Sequence, residues 1–152
     1  MQNFKEKLIK WDQNITSFSK SSSMFASQVA IFIIYFWFGA LKVFSEKGAA
    51  NPLVVALLDK TMPWFPPNEF LICFGIFEMI IGILFILPKM ERIAILAMVV
   101  HLSTTIMPLV LLPQFTWQSF LVPTLEGQYI IKNILLIVLA LNIWSNLRPR
   151  NK

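Results

Sequence analysis

Residues 75–87 read GIFEMIIGILFIL. Twelve of these thirteen residues suit the hydrocarbon interior of a bilayer, and the other is the acid Glu78. Extended back to Phe70, the apolar run covers 70–87, which at helical rise spans about 27 Å, close to the hydrocarbon thickness of a membrane. Three further runs have the same character, at 24–41, 93–112 and 128–145. Lipid offers no partners for backbone N–H and C=O groups, so each run must close its own hydrogen bonds as a helix. The expected fold is all-α, a bundle of four transmembrane helices.

Composition agrees. The 152 residues are 57% hydrophobic and 14% charged, with a mean hydropathy of +0.67. A soluble domain carries roughly 25% charged residues. The net charge of +5 gathers at the ends of apolar runs, where it meets a membrane surface; no nucleic-acid partner is expected. One cysteine, Cys73, excludes an internal disulfide. There is no glycine-rich phosphate loop, CxxC pair or nucleophile elbow. A single histidine cannot supply both axial ligands of a bis-histidine haem. Cys73 lies well round the helix from Glu78, so no metal site is expected.

Orientation follows from the basic residues. Lys5, Lys7, Lys10, Lys20, Lys89, Arg92, Arg148, Arg150 and Lys152 fall on one side, against Lys42, Lys47 and Lys60 on the other. The positive-inside rule then places both termini in the cytoplasm, with the bacterial cytoplasmic (inner) membrane as the expected location. The chain divides into a cytoplasmic segment 1–23, a membrane domain 24–145 and a basic tail 146–152. The first span follows 23 polar-rich residues and exceeds a signal-peptide core, so it is expected to remain uncleaved. In the leading segment Phe4, Leu8, Trp11, Ile15 and Phe18 recur at helical spacing among lysines. That pattern predicts an amphipathic helix lying on the anionic inner leaflet.

The outer loops are themselves apolar. Asn51-Pro52 is a good helix start, with a capping side chain before proline, and Leu53–Leu58 supplies two turns that end before Pro63. This short helix is too brief to cross and is expected in the outer interface. The second loop, QFTWQSFLVPTLEG, carries Phe115, Trp117 and Phe120. Headgroup anchoring and a shared roof over the helices are both consistent with these aromatics.

A charge at the depth of Glu78 costs at least ~2.5–3.5 kcal/mol, so its side chain should face protein. Gly75 and Gly82, at i−3 and i+4, share its face and would let a neighbouring backbone approach closely. His101 in the third span has Thr104, Thr105 and Pro108 following on one stripe. Tyr35, Gly39 and Lys42 align on the first span, and Tyr129, Lys132 and Asn133 open the fourth. By depth these groups form a column from the outer rim to the midplane. Lys132 is the expected partner of Glu78, and Lys42 is expected to snorkel to the surface. The candidate ligand-binding set is thus Tyr35, Lys42, Glu78, His101, Tyr129, Lys132 and Asn133, with Glu78 and His101 as the candidate proton-exchanging groups. Gly39, Gly75 and Gly82 are read as helix-packing positions. A structural alternative stands beside this one, in which a Glu78–lysine pair only fixes helix register.

FGALKVF at 38–44, GIFEMIIGILFIL at 75–87 and TLEGQYIIKN at 124–133 resemble the DoxX-like membrane proteins, nearest the branch containing the reactive-chlorine-resistance membrane protein. The likeness runs from about Ile31 to Trp144. It implies a four-helix membrane bundle and, by position, functional roles for Gly39, Lys42, Glu78, Gly82 and Lys132; His101 has no counterpart. Some relatives are named as membrane subunits of sulfur-oxidising enzymes that pass electrons to quinone, and others accompany oxidant resistance. Three functions therefore stand as expectations. The first is a redox-associated accessory or subunit binding a quinone-like ligand against aromatic walls (Phe36, Trp37, Phe74, Phe77), with a redox-protein partner or a homo-oligomer. The second is a small proton-coupled transporter or channel, and the third a non-catalytic scaffold of a membrane complex.

Overall fold

Each of the four apolar runs becomes a helix, because backbone hydrogen bonds inside one segment are the solution open to it in lipid. A computed structural model describes residues 2–45 and 52–147. The elements are α1 (Gln2–Phe44), α2 (Pro52–Thr61), α3 (Pro67–Ile86), α4 (Glu91–Leu111), α5 (Pro113–Thr116), β1 (Trp117–Ser119), β2 (Val122–Pro123), α6 (Leu125–Lys132) and α7 (Ile134–Asn146). Four stretches are long and apolar enough to cross a membrane: Phe4–Phe44, Pro67–Ile86, Glu91–Leu111 and Leu125–Asn146. The protein is a helical, multi-pass bundle by this measure.

Glycine sets the closest contact. A Cβ added at Gly39 would stand 2.5 Å from the carbonyl oxygen of Gly75, and one at Gly75 would stand 2.7 Å from that of Gly39. Two backbones meet there without side chains between them, and α1 against α3 is the most extensive helix contact in the fold. Further along the same seam, a Cβ at Gly82 would meet the Phe36 nitrogen at 3.0 Å. Small residues at membrane helix interfaces permit such approach. Beside this seam the bundle fills with Ile31, Ile81, Phe85, Met98 and Ile143, all buried. At the end near the chain termini, Asn142 on α7 donates to Ser27 Oγ at 2.8 Å and to the Ser23 carbonyl at 3.2 Å on α1.

Three features differ from the expectations. First, α1 is one helix of 43 residues, so the leading segment continues the first span with no break at residue 23. Nothing in 2–44 supplies a proline to interrupt the ladder, and Ser21, Ser23 and Ser27 turn their hydroxyls back to carbonyls three or four residues earlier within the helix. Second, the fourth span divides at Asn133, whose N–H bonds back to the carbonyls of Ile130 and Ile131 between α6 and α7. Third, the loop after α4 folds as a small antiparallel hairpin of β1 and β2, with Phe120 and Leu121 exposed near its tip. The α2 helix forms where the apolar run at 53–58 predicts one. Its expected cap, Asn51, lies outside the described residues, as do Lys47 and the basic tail residues Arg148, Arg150 and Lys152.

Candidate functional site

Glu78 answers the question raised by its sequence. It is 6% exposed and both carboxylate oxygens are engaged. Lys42 Nζ donates to Oε2 at 2.6 Å, and His101 Nε2 donates to Oε1 at 2.9 Å. His101 Nδ1 in turn accepts from the Tyr35 hydroxyl at 3.1 Å. These partners assign the tautomer: an imidazole protonated on Nε2 can donate to the carboxylate and accept from the phenol. Three helices thus contribute to one hydrogen-bonded chain, Lys42–Glu78–His101–Tyr35. With a neutral imidazole the chain carries no net charge, which suits a low-dielectric interior. Among the described residues no buried side-chain nitrogen or oxygen lacks a partner.

The glycine seam explains how the lysine gets there. A Cβ on Gly75 would touch the Lys42 Cβ at 2.9 Å, so α1 sits close enough for the Lys42 stem to run along α3 and place its ammonium on Glu78. Lys132 is not the partner. It closes α6, is exposed, and rests its ammonium over the Tyr129 ring at 5.2 Å. The expected roles of the two lysines are therefore exchanged. Both lysines were within reach by depth and snorkelling of Lys42 favoured Lys132, whereas the deciding quantity is the close approach of α1 to α3.

The imidazole is held by rings as well as hydrogen bonds. Phe74 stacks on it with centroids 4.7 Å apart, and Phe70 stacks on Phe74 at 5.4 Å. Tyr35 meets it edge-on. Above this cluster opens a cavity of about 510 Å³. Lys42, Glu78, His101 and Tyr35 form one wall, Thr104, Thr105 and Pro108 of α4 another, and Leu53, Val54 and Leu57 of α2 close one side. Glu126, Tyr129 and Asn133 also line it. Pro108 has no N–H, so the Thr104 carbonyl loses its usual helical partner beside the cavity. The α2 helix is tied across the cavity by Lys60, whose ammonium donates to the Leu111 carbonyl at 2.7 Å near the end of α4. Cations at helix C-termini are favoured.

Of the sequence-derived set, Tyr35, Lys42, Glu78, His101, Tyr129 and Asn133 line one cavity, and Lys132 does not. The aromatic walls differ from expectation. Phe74 lines the cavity, but Phe36 and Trp37 face a shallow outer groove and Phe77 packs against the apolar core. The positions that do line it, Phe38 and Phe70, were not singled out by sequence; the i, i+4 spacing of Phe70 and Phe74 on the Glu78 helix was the available signal. No family model, no curated protein and no solved structure matches the chain.

Proposed function

We propose that this is a DoxX-like protein of the bacterial cytoplasmic membrane, both termini inside, that binds a quinone-like lipophilic ligand in an outward-facing cavity and works with a redox partner. One observation carries the reading: a buried hydrogen-bonded chain, Tyr35–His101–Glu78–Lys42, forms one wall of a 510 Å³ cavity whose lining is mostly apolar and aromatic, with Thr104, Thr105, Glu126 and Asn133 as its further polar members. Pockets for drug-sized ligands have this volume and this sparing use of polar groups. Phe70 and Phe74 offer faces to a planar ring. The ammonium of Lys42, 22% exposed at its side chain, is a donor for a carbonyl oxygen. Phe38 and Tyr129, both more than half exposed, stand where a ligand can arrive from the bilayer.

A bound quinone would supply two-electron, two-proton chemistry, and the electrons would come from the partner protein. The chain's own residues hold and move protons. Glu78 fixes the imidazole orientation through Nε2, Tyr35 fixes it through Nδ1, and Lys42 pairs directly with the other carboxylate oxygen. Such a positioned acid–base chain is the usual means of matching proton transfer to a reacting oxygen.

A proton channel gains less support. On the far side of His101 the bundle is filled by Ile31, Ile81, Phe85 and Met98, so the polar column ends at the cluster. The deciding experiment is mass spectrometry of lipophiles extracted from purified protein, with optical titration of added quinone. Copurified quinone that falls sharply in Glu78→Gln and Lys42→Met supports the reading. Equal binding by Glu78→Gln and wild type overturns the role given to Glu78, and flux of a small solute in proteoliposomes without quinone binding would favour transport.

A further inference from the structure

The first 25 residues of α1 carry an apolar stripe that the bundle does not use. Phe4, Leu8, Trp11, Ile15, Phe18 and Phe25 are each 48–71% exposed. Their spacings are four, three, four, three and seven. That is a repeat of 3.5, the coiled-coil period, with Leu8 and Ile15 at a and the four aromatics at d. Ser22, a small residue, takes the intervening a position.

The stripe points the right way to meet another helix. At ~100° per residue it centres about half a turn from Ser27, Ile31 and Tyr35, the positions through which α1 faces its own bundle. Because α1 is continuous from Gln2 to Phe44, a span beginning near residue 24 holds the first twenty residues as a rod about 30 Å long, standing off the bilayer rather than lying on it. Charges fit the same register. Lys7 occupies g and Asp12 occupies the following e, the two positions that pair between chains in a parallel coiled coil.

We propose that this stripe pairs with the same stripe of a second copy, making a parallel two-stranded coiled coil continuous with the first span. Two copies inserted in one membrane share orientation, which supplies the parallel alignment. Confinement to the bilayer raises their effective concentration, so three heptads suffice where a free peptide of that length would be marginal. The Lys7–Asp12 contact forms twice across the symmetry axis. Nothing in this pairing depends on the ligand reading of the cavity.

The test is oxidative cross-linking of the full chain in native membranes, in a Cys73→Ser background. Leu8→Cys and Ile15→Cys are expected to form disulfide dimers readily, and Gln13→Cys, on the outer face at f, is expected to give little. Lys7→Glu should lower dimer yield about fivefold, from loss of two exposed pairs and gain of like-charge contacts, and Lys7→Glu with Asp12→Lys should restore it. Equal cross-linking at 8, 13 and 15 would overturn the register. Protection of the 8 and 15 cysteines from a water-soluble maleimide with no disulfide dimer would overturn the pairing and show that the stripe lies on lipid. Cross-links to a different protein in place of the dimer would also overturn it.

Discussion

Replacing Lys42 by Met tests the site at its most exposed member. The thioether keeps most of the stem's packing and removes the ammonium that donates to Glu78 Oε2 at 2.6 Å. The carboxylate then keeps one donor, His101 Nε2 at 2.9 Å, and is left with a bare oxygen in a setting where its side chain is 7% exposed. Removing one partner of a fully buried pair costs ~3–5 kcal/mol. Lys42 is partly reachable by water, its side chain 22% exposed, so a loss somewhat below that range, about 2–3 kcal/mol, is expected. For a chain of this size each kcal/mol moves Tm by about 2–4 °C, giving a fall of about 5–10 °C in detergent. Glu78→Gln in the same background should recover much of that loss, since the neutral amide needs no counter-charge. Lys132→Met serves as the control, because that lysine rests over Tyr129 at the surface. If Lys42→Met melts with Lys132→Met, or if Lys132→Met is the more damaging, the pairing of Lys42 with Glu78 is refuted.

Two further substitutions probe the supports of the same chain. Gly39→Val puts a branched side chain where even a Cβ would stand 2.5 Å from the Gly75 carbonyl and 2.9 Å from the Met79 nitrogen. Overpacking of this kind costs ~1–3 kcal/mol or more, and the Lys42–Glu78 contact should open with it, so Tm and copurified lipophile fall together. Ala40→Val, on the outer groove, should change neither. Tyr35→Phe removes the donor to His101 Nδ1 and leaves a buried acceptor unmet, a loss of ~1–3 kcal/mol. His101 is the single histidine, so 15N NMR of a histidine-free tagged protein reads one imidazole. The Nδ1 resonance should move while the proton stays on Nε2, and an unmoved Nδ1 would refute the contact.

Much of this arrangement was legible in the sequence, and what was not has an identifiable cause. Hydropathy placed all four spans because the bilayer sets length and the backbone dictates helix. The isolation of Glu78 among apolar residues marked the site, and the glycines at i−3 and i+4 marked its face. Periodicity on one helix, however, says nothing of azimuth relative to another. Lys42 and Lys132 were both within reach of Glu78 by depth, and only the Gly39–Gly75 crossing decides between them. The misplaced aromatic walls have the same origin. Phe36 and Trp37 lie next to Tyr35 in sequence and on other faces of the helix in space. The hairpin at 117–123 was unreadable because its strands are two and three residues long, too short for alternation to register.

The glycine seam and the buried acid depend on one another. A carboxylate at this depth stands only if donors reach both oxygens, and a lysine on a neighbouring helix reaches it only if that helix comes within backbone contact. Gly39 and Gly75 provide the contact, one turn from Lys42 on α1 and one turn from Glu78 on α3. The resulting ion pair lends the seam an attraction that lipid-facing apolar residues cannot, since lipid solvates such residues as well as another helix does. His101 takes the second oxygen from a third helix, so the acid also locks α4 to the pair. A register device would be complete at that point. The cluster goes one residue further, to a phenol that meets Nδ1 at the edge of a cavity large enough for a ligand, so one hydroxyl both satisfies the imidazole and lines the cavity.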